Sequence, residues 1–204
     1  MDIGKVEVIK ADCCIWCQDG GIMQKYHDEE WGIPVHNDRK HFEYLMMEVM
    51  QCGLNWLMML KKREIFRKCF EDFDYEKIAH YGEDKVQEIM GTEGMIRSPR
   101  KINAVITNAE RYLDIIKEYG SFDKYLWSYT NGKTIIYKSH QKQGAARNEL
   151  SDAVSADLKK RGFKYLGSIT VYSHLQACGM INDHAEECFL YRKICESYPV
   201  EYRD

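Results

Sequence analysis

The segment Lys159-Lys160-Arg161-Gly162-Phe163-Lys164-Tyr165-Leu166-Gly167-Ser168 lies between two stretches with helical patterning, and its reading decides the fold. Upstream, Ser151 is placed to cap a helix running to about Arg161; downstream, Ser168 is placed to cap a second helix that reaches Cys178-Gly179. Two helices thus flank a six-residue hairpin with a glycine at each corner. Glycine lets the backbone turn sharply and approach a ligand closely, and the second helix offers free N–H groups at its start. Lys159, Lys160, Arg161 and Lys164 surround the turn. This spacing fits a clamp for a phosphate backbone, and it equally fits an ordinary helical hairpin with a solvated basic face.

Helix signals continue on either side. Asn37 and Asp38 can cap a helix in which Phe42, Leu45, Met46, Val49 and Met50 form one apolar stripe, broken at Gly53. Further helices are predicted over about Asn55 to Lys68, Tyr75 to His80 and Glu83 to Met90, the last two ended by Gly82 and Gly91. Ser98-Pro99 is an N-cap followed by proline at the first helical position, and Ile102, Val105, Ile106, Ala109, Leu113 and Ile116 then share a face as far as Gly120. Lys133 to Tyr137 reads as a short strand after the Asn131-Gly132 turn, and Lys138 to Glu149 as a surface loop. Three prolines among 204 residues interrupt little of this, so the chain is read as all-α, a single unit over 1–204 with its hairpin at about 151–178.

Composition excludes several classes. An apolar fraction of 45% rules out disorder, and the stretch Tyr44 to Leu60 is broken by Glu48, Gln51 and Asn55, which argues against a membrane span. The first residues carry both charge signs and no signal-type apolar core, so a cytoplasmic location is expected. Eight cysteines then read as buried hydrophobes and metal ligands, not as a disulfide frame. A net charge of −3 attracts no polyanion overall, so any nucleic-acid contact must come from local basic patches.

Two groups of residues carry chemical potential. His184-Ala185-Glu186-Glu187-Cys188 puts an imidazole and a thiol at i and i+4, a workable pair of zinc ligands on a helix face, and Cys13, Cys14, Cys17 and His27 are candidates to complete a closed four-coordinate site. The same types are common in cores. Trp16, Tyr26, Trp31 and Trp56 could stack a flat cationic base or simply fill a core. Glu48, the carboxylate closest to them, lies roughly 140° from the centre of the Phe42/Val49 stripe at ~100° per residue, so periodicity places it in solvent.

In one order along residues 13–190, five motifs resemble the DNA-3-methyladenine glycosylase I family of helix-hairpin-helix base-excision enzymes. They are Tyr26 to Gly32 (YHDEEWG), Cys52 to Leu57 (CGLNWL) followed by Leu60 to Glu64 (LKKRE), Phe122 to Ser128, Lys159 to Gly167 and Gln176 to His184. The resemblance implies removal of 3-methyladenine from alkylated double-stranded DNA by a monomer with no obligate protein partner. It implies one structural zinc on Cys14, His27, His184 and Cys188, with Cys13 and Cys17 as competitors for the Cys14 position. Glu48 becomes the base-pocket glutamate, overturning its surface reading, and Tyr26, Trp31 and Trp56, with Trp16 nearby, become the pocket aromatics. Leu54 matches the loop that fills the gap left by an extruded nucleotide. Gly162 and Gly167 are expected to present N–H groups to a phosphate, with Lys159, Lys160 and Lys164 supplying field and Arg97 and Lys101 as further phosphate contacts. Asp183, beside His184, is a less favoured second carboxylate. Asn55, Met23, Val49-Met50 and Ser98-Pro99 depart from the family pattern and bear on rate and damage range. The alternative class is a non-catalytic DNA-damage-binding module; a zinc hydrolase would require an open coordination position.

Overall fold

The computed structural model describes residues 13–18, 20–51, 53–141 and 143–204; Cys52 and the mixed-charge N-terminal stretch lie outside them. The described helices are α1 Ile22–Glu29, α2 Asp38–Gln51, α3 Trp56–Cys69, α4 Tyr75–Ile78, α5 Glu83–Gly91, α6 Pro99–Tyr119, α7 Phe122–Ser128, α8 Glu149–Lys160, α9 Ser168–Ala177 and α10 Phe189–Ser197. Strands β1 Thr134–Tyr137 and β2 Val200–Arg203 pair in parallel, Thr134 opposite Val200, and fasten the C-terminal segment to the middle of the chain. No helix among the described residues is long and apolar enough to cross a membrane.

Caps placed from sequence hold at several ends. Ser98 accepts from the Lys101 amide with Pro99 opening α6, and Gly120 ends that helix in a left-handed conformation. Asn37 accepts from the Lys40 amide at 2.9 Å, and Asn55, read only as the approximate start of a helix, proves to be its N-cap, accepting from Leu57 at 2.8 Å. Elsewhere the boundaries shift. Asn148 is the N-cap of α8 and Ser151 its reciprocal partner three residues in, so Ser151 is not the cap. Gly167 precedes α9 as N-cap and Ser168 is its first helical residue. Gly91 lies inside α5, while Gly82 is the N-cap of that helix.

The largest departure from patterning is α2. Every residue from His41 to Met50 is buried, including His41, Glu43 and Glu48, because α3, α6, α7 and α9 all pack on it. A helix covered on all sides has no solvent face, and the angular argument that put Glu48 outside fails for that reason. Its polar residues must find partners within the protein. Glu43 accepts from Arg63 at 2.8 Å and Arg67 at 2.9 Å. Arg63 also grips both carboxylate oxygens of Glu30, at 2.7 and 2.8 Å, which joins the end of α1 to α2 and α3. Burial alone would raise the Glu30 pKa, but the Arg63 and Lys40 contacts hold it at about 2.

The α8–α9 hairpin is fixed from below. Asn108 of α6, fully buried, accepts from the Lys164 amide at 2.7 Å and donates to the Lys164 carbonyl at 3.1 Å, while Ser155 donates to the Leu166 carbonyl at 2.8 Å. These bonds hold Tyr165 at φ +59 and leave Lys164 pointing outward at an exposed position. Asn108→Ala is expected to destabilise the protein by about 1–3 kcal/mol and to accelerate hydrogen exchange at the Lys164 amide. Unchanged exchange at that amide would show that Ser155 holds the turn alone.

Candidate active site and metal centre

The N-terminal turn Ile15–Cys17, α1 and the segment before α10 meet at a buried cluster. Cys14, His27, His184 and Cys188 each aim a donor atom into one space, all within 4.8 Å of one another. Cys14 Sγ to His184 Nδ1 is 3.5 Å, Cys188 Sγ to His27 Nε2 is 3.5 Å, and Cys188 Sγ to His184 Nδ1 is 3.6 Å. A tetrahedral zinc, with sulfur at ~2.3 Å and nitrogen at ~2.05 Å, separates sulfur from nitrogen by about 3.6 Å. The outer ring nitrogens are anchored as a metal site requires: His27 Nδ1 pairs with Asp28 at 2.7 Å, and His184 Nε2 with the Trp31 carbonyl at 3.0 Å. The donor set therefore fits zinc. Cys17, a competitor from spacing, instead donates to the Cys14 carbonyl at 2.9 Å.

His184 and Cys188 do not share a helix face. Residues 184–188 form a turn, closed by the Cys188 amide on the Ala185 carbonyl at 2.8 Å, and Cys188 is the N-cap of α10. Gly32 makes the fit possible: at φ +78, a Cβ there would lie 2.5 Å from His184 Nε2. One thiol of the pair ionises before the other. Cys188 is driven down by hydrogen bonds from Cys14 and both histidines, and Cys14 is pushed up in return.

Next to this cluster opens a cavity of about 300 Å³ lined by Trp16, Met23, Tyr26, Trp31, Glu48, Gln51, Trp56, Ser173 and Gln176. Trp16 meets Trp31 edge-on at 5.0 Å, and Tyr26 lies 5.7 Å from Trp56. The four aromatics are thus brought together, with Trp16 40% exposed at the rim. Glu48 is 5% exposed, and burial raises its pKa to about 8. Met23 sits at the position noted as a departure, and it lines the cavity. Gln51, Ser173 and Gln176 were not singled out from sequence; Gln176 stood in a quoted motif, but nothing in its spacing marked it as pocket-facing.

Asp183 lies in an adjoining cavity with His140, and Gln176 lines both. Its carboxylate accepts from Tyr172, from Gln176 at 2.8 Å and from His140 at 3.1 Å. The segment read as a plain surface loop therefore supplies His140 to an interior network.

Leu54 sits in the turn between α2 and α3, half-buried against the core. Around the hairpin, Gly162 has φ +93, but its N–H donates to the Lys159 carbonyl at 3.0 Å, so it does not face a phosphate. Arg161 is committed as well, to Asp157 at 2.7 Å and Glu118 at 2.7 Å. Lys101 donates to the Met50 carbonyl at 2.7 Å, closing the end of α2. Lys159, Lys160, Lys164 and Arg97 are exposed, and the Val171 amide bonds the Gly167 carbonyl at 2.9 Å at the start of α9.

The raised Glu48 pKa has a measurable cost. Between its ordinary value of 4.5 and about 8, the folded protein keeps a proton that the unfolded chain releases, so Glu48 lowers stability progressively as pH rises through that window. Glu48→Gln cannot ionise. It should melt well above the parent at a pH beyond 8 and close to the parent near pH 5, as read by calorimetry at each pH. A pH-independent difference would contradict the burial of an ionisable carboxyl.

The chain is similar to known proteins over most of its length. The family model described as methyladenine glycosylase matches residues 16–191. DNA-3-methyladenine glycosylase 1 of Escherichia coli (strain K12) is 38% identical over 179 residues, 87% of this chain and 96% of that protein. DNA-3-methyladenine glycosylase of Haemophilus influenzae is 37% identical over 86% of this chain and 95% of its own length. The solved structure of 3-methyladenine DNA glycosylase I (TAG) from Staphylococcus aureus, described as the structural basis of 3-methyladenine recognition, superposes with a TM-score of 0.82 at 34% identity, covering 87% of this chain and 95% of that one. With a match spanning most of its length and a helical fold shared with solved members, this chain belongs to the methyladenine glycosylase family.

Proposed function

We propose that the protein is a monofunctional DNA-3-methyladenine glycosylase, which flips the alkylated base out of the duplex and hydrolyses its bond to deoxyribose, leaving an abasic site. The observation that carries this reading is Glu48, a buried carboxyl set in an aromatic box that opens to the surface. Extrusion costs a few kcal/mol of unstacking, which aromatic faces and edge hydrogen bonds then offset. Methylation at N3 makes the adenine cationic. A cation placed against Glu48 favours its ionised form, so the pocket binds the charged lesion better than neutral adenine. The positive charge also weakens the glycosidic bond. Its electron pair leaves with the base, and water adds to the sugar at C1′ and loses a proton, so no strong acid catalyst is required.

Zinc on Cys14, His27, His184 and Cys188 completes this reading as a structural ion. Four protein donors leave no position for an activated water, so the metal ties the two terminal segments together behind Trp31 and takes no part in bond breaking. Cys188→Ser should lower metal content and melting temperature together, because binding free energy is linked to folding. Full zinc occupancy in that variant would refute the assignment.

The exposed Lys164 and the amides opening α9 at Gly167 are suited to a DNA phosphate. Lys164→Ala should weaken binding about equally on all sequences and reduce the salt slope by roughly one unit. Leu54, in the turn between α2 and α3, would occupy the vacated stack. One pocket per chain needs no second subunit, and a DNA substrate shared with bacterial relatives favours a cytoplasmic location.

Incubation with methylated duplex DNA tests the whole reading. Free 3-methyladenine is the expected product. Tight binding without release would make the protein a damage-binding module, and hydrolysis abolished by chelation while the melting temperature is unchanged would make it a metal hydrolase. Glu48→Gln keeps the shape and removes the charge; charged hydrogen bonds contribute about 1.5–3 kcal/mol, so excision should fall roughly 10- to 150-fold.

A further inference from the structure

Behind the base pocket, α2 and α9 share a second set of metal-ligating side chains. His41 of α2, His174 of α9 and Cys178, which caps α9, are all buried, and their donor atoms lie within 4.8 Å of one another. His174 and Cys178 are one helical turn apart, and the His41 and His174 rings are 5.9 Å apart between centroids. What sets this cluster apart from an ordinary core is its unmet polar demand. Among the described residues, neither ring nitrogen of His174 has a hydrogen-bond partner, although the residue is 1% exposed, and His41 Nδ1 has none either. Buried polar groups left in this state are rare and costly.

The outer arrangement matches that of a metal-binding histidine. His41 Nε2 pairs with Asp123 at 3.2 Å, which fixes the ring and leaves Nδ1 as the free donor, the carboxylate–histidine–metal pattern. Cys178 Sγ makes a long contact, 3.7 Å to the Leu175 carbonyl, and the backbone amides of Met180 and Cys178 lie close enough to favour its thiolate. We infer that His41, His174 and Cys178 form a second, structural metal site for a thiophilic cation, cuprous or zinc, which cross-links α2 to α9. Two imidazoles and a thiolate suit both ions: three donors satisfy the cuprous ion, and zinc takes a water as fourth. Charge is also balanced. The thiol loses its proton on binding, so the thiolate and Asp123 carry the two negative charges that neutralise zinc, whereas for a cuprous ion the thiolate suffices and Asp123 keeps its contact with His36 at 3.1 Å. Donors around such a cation sit about 3.6 Å apart, so the cluster contracts by roughly an ångström. The cross-link would brace the helix that carries Glu48 against the helix that carries Ser173 and Gln176.

The test counts metal and is independent of excision and of the Cys14 site. The full chain and its His174→Phe variant, which keeps a ring and deletes both nitrogens, are unfolded with chelator. Each is refolded with zinc, or with cuprous ion under reducing anaerobic conditions, then desalted and assayed by plasma mass spectrometry. The parent is expected to hold one more metal equivalent per chain than the variant in at least one arm, and to melt higher in that loaded state. Equal metal counts in both arms would overturn the site; a higher melting temperature in the variant would then mark the cluster as an unpaired core. Cys178→Val, which deletes the thiol at similar volume, gives the same comparison should His174→Phe not refold.

Discussion

A helix buried on every side cannot leave a polar side chain unanswered, and α2 carries three of them. Each is met differently. Glu43 is neutralised by Arg63, Arg67 and Lys40, and the same Arg63 binds Glu30 at the end of α1. His41 is held by Asp123 of the segment that opens α7. Glu48 opens onto the cavity, and burial raises its pKa. Removing either partner of a buried ion pair costs about 3–5 kcal/mol, so the Glu30–Arg63–Glu43 network fixes the relative positions of three helices. Those helices carry Tyr26, Glu48 and Trp56, and the pocket inherits its rigidity from an ion network outside it.

The Cys/His cluster serves the same geometry from the other side. His184 is anchored on the Trp31 carbonyl, and His27 follows Tyr26 directly in sequence, so members of the cluster and the cavity aromatics are immediate neighbours along α1 and its exit. Gly32, whose missing side chain admits His184, is the joint between them. An ion held there would secure Trp16 and Trp31 at the cavity rim without facing the base.

Local signals were legible where local physics decides. Ser98-Pro99, Asn37, Asn55 and Gly120 act as caps because capping depends on a few neighbouring atoms. The donors Cys14, His27, His184 and Cys188 followed from motif order, and spacing alone left Cys13 and Cys17 open. Periodicity misplaced Glu48 because it assumes one buried face, whereas neighbours distant in sequence cover α2 completely. The same nonlocality hid the pairing of β1 with β2, the Asn108 clamp on the hairpin and the reach of Gln176 and Ser173 into the cavity. It also turned the basic cluster into a mixed set: Arg161 and Lys101 close structural contacts, and Lys164 stays exposed.

In the proposed reaction Glu48 acts as a carboxylate whose pKa burial has raised and whose counter-charge is the lesion. The most direct measurement is kcat/KM for release of 3-methyladenine from methylated duplex across roughly pH 6 to 9, a parameter that reports ionisations of the free enzyme. The account predicts a rate that climbs about tenfold per pH unit, levels off near 8 and loses this dependence in Glu48→Gln. A flat profile in the parent over that range would contradict it.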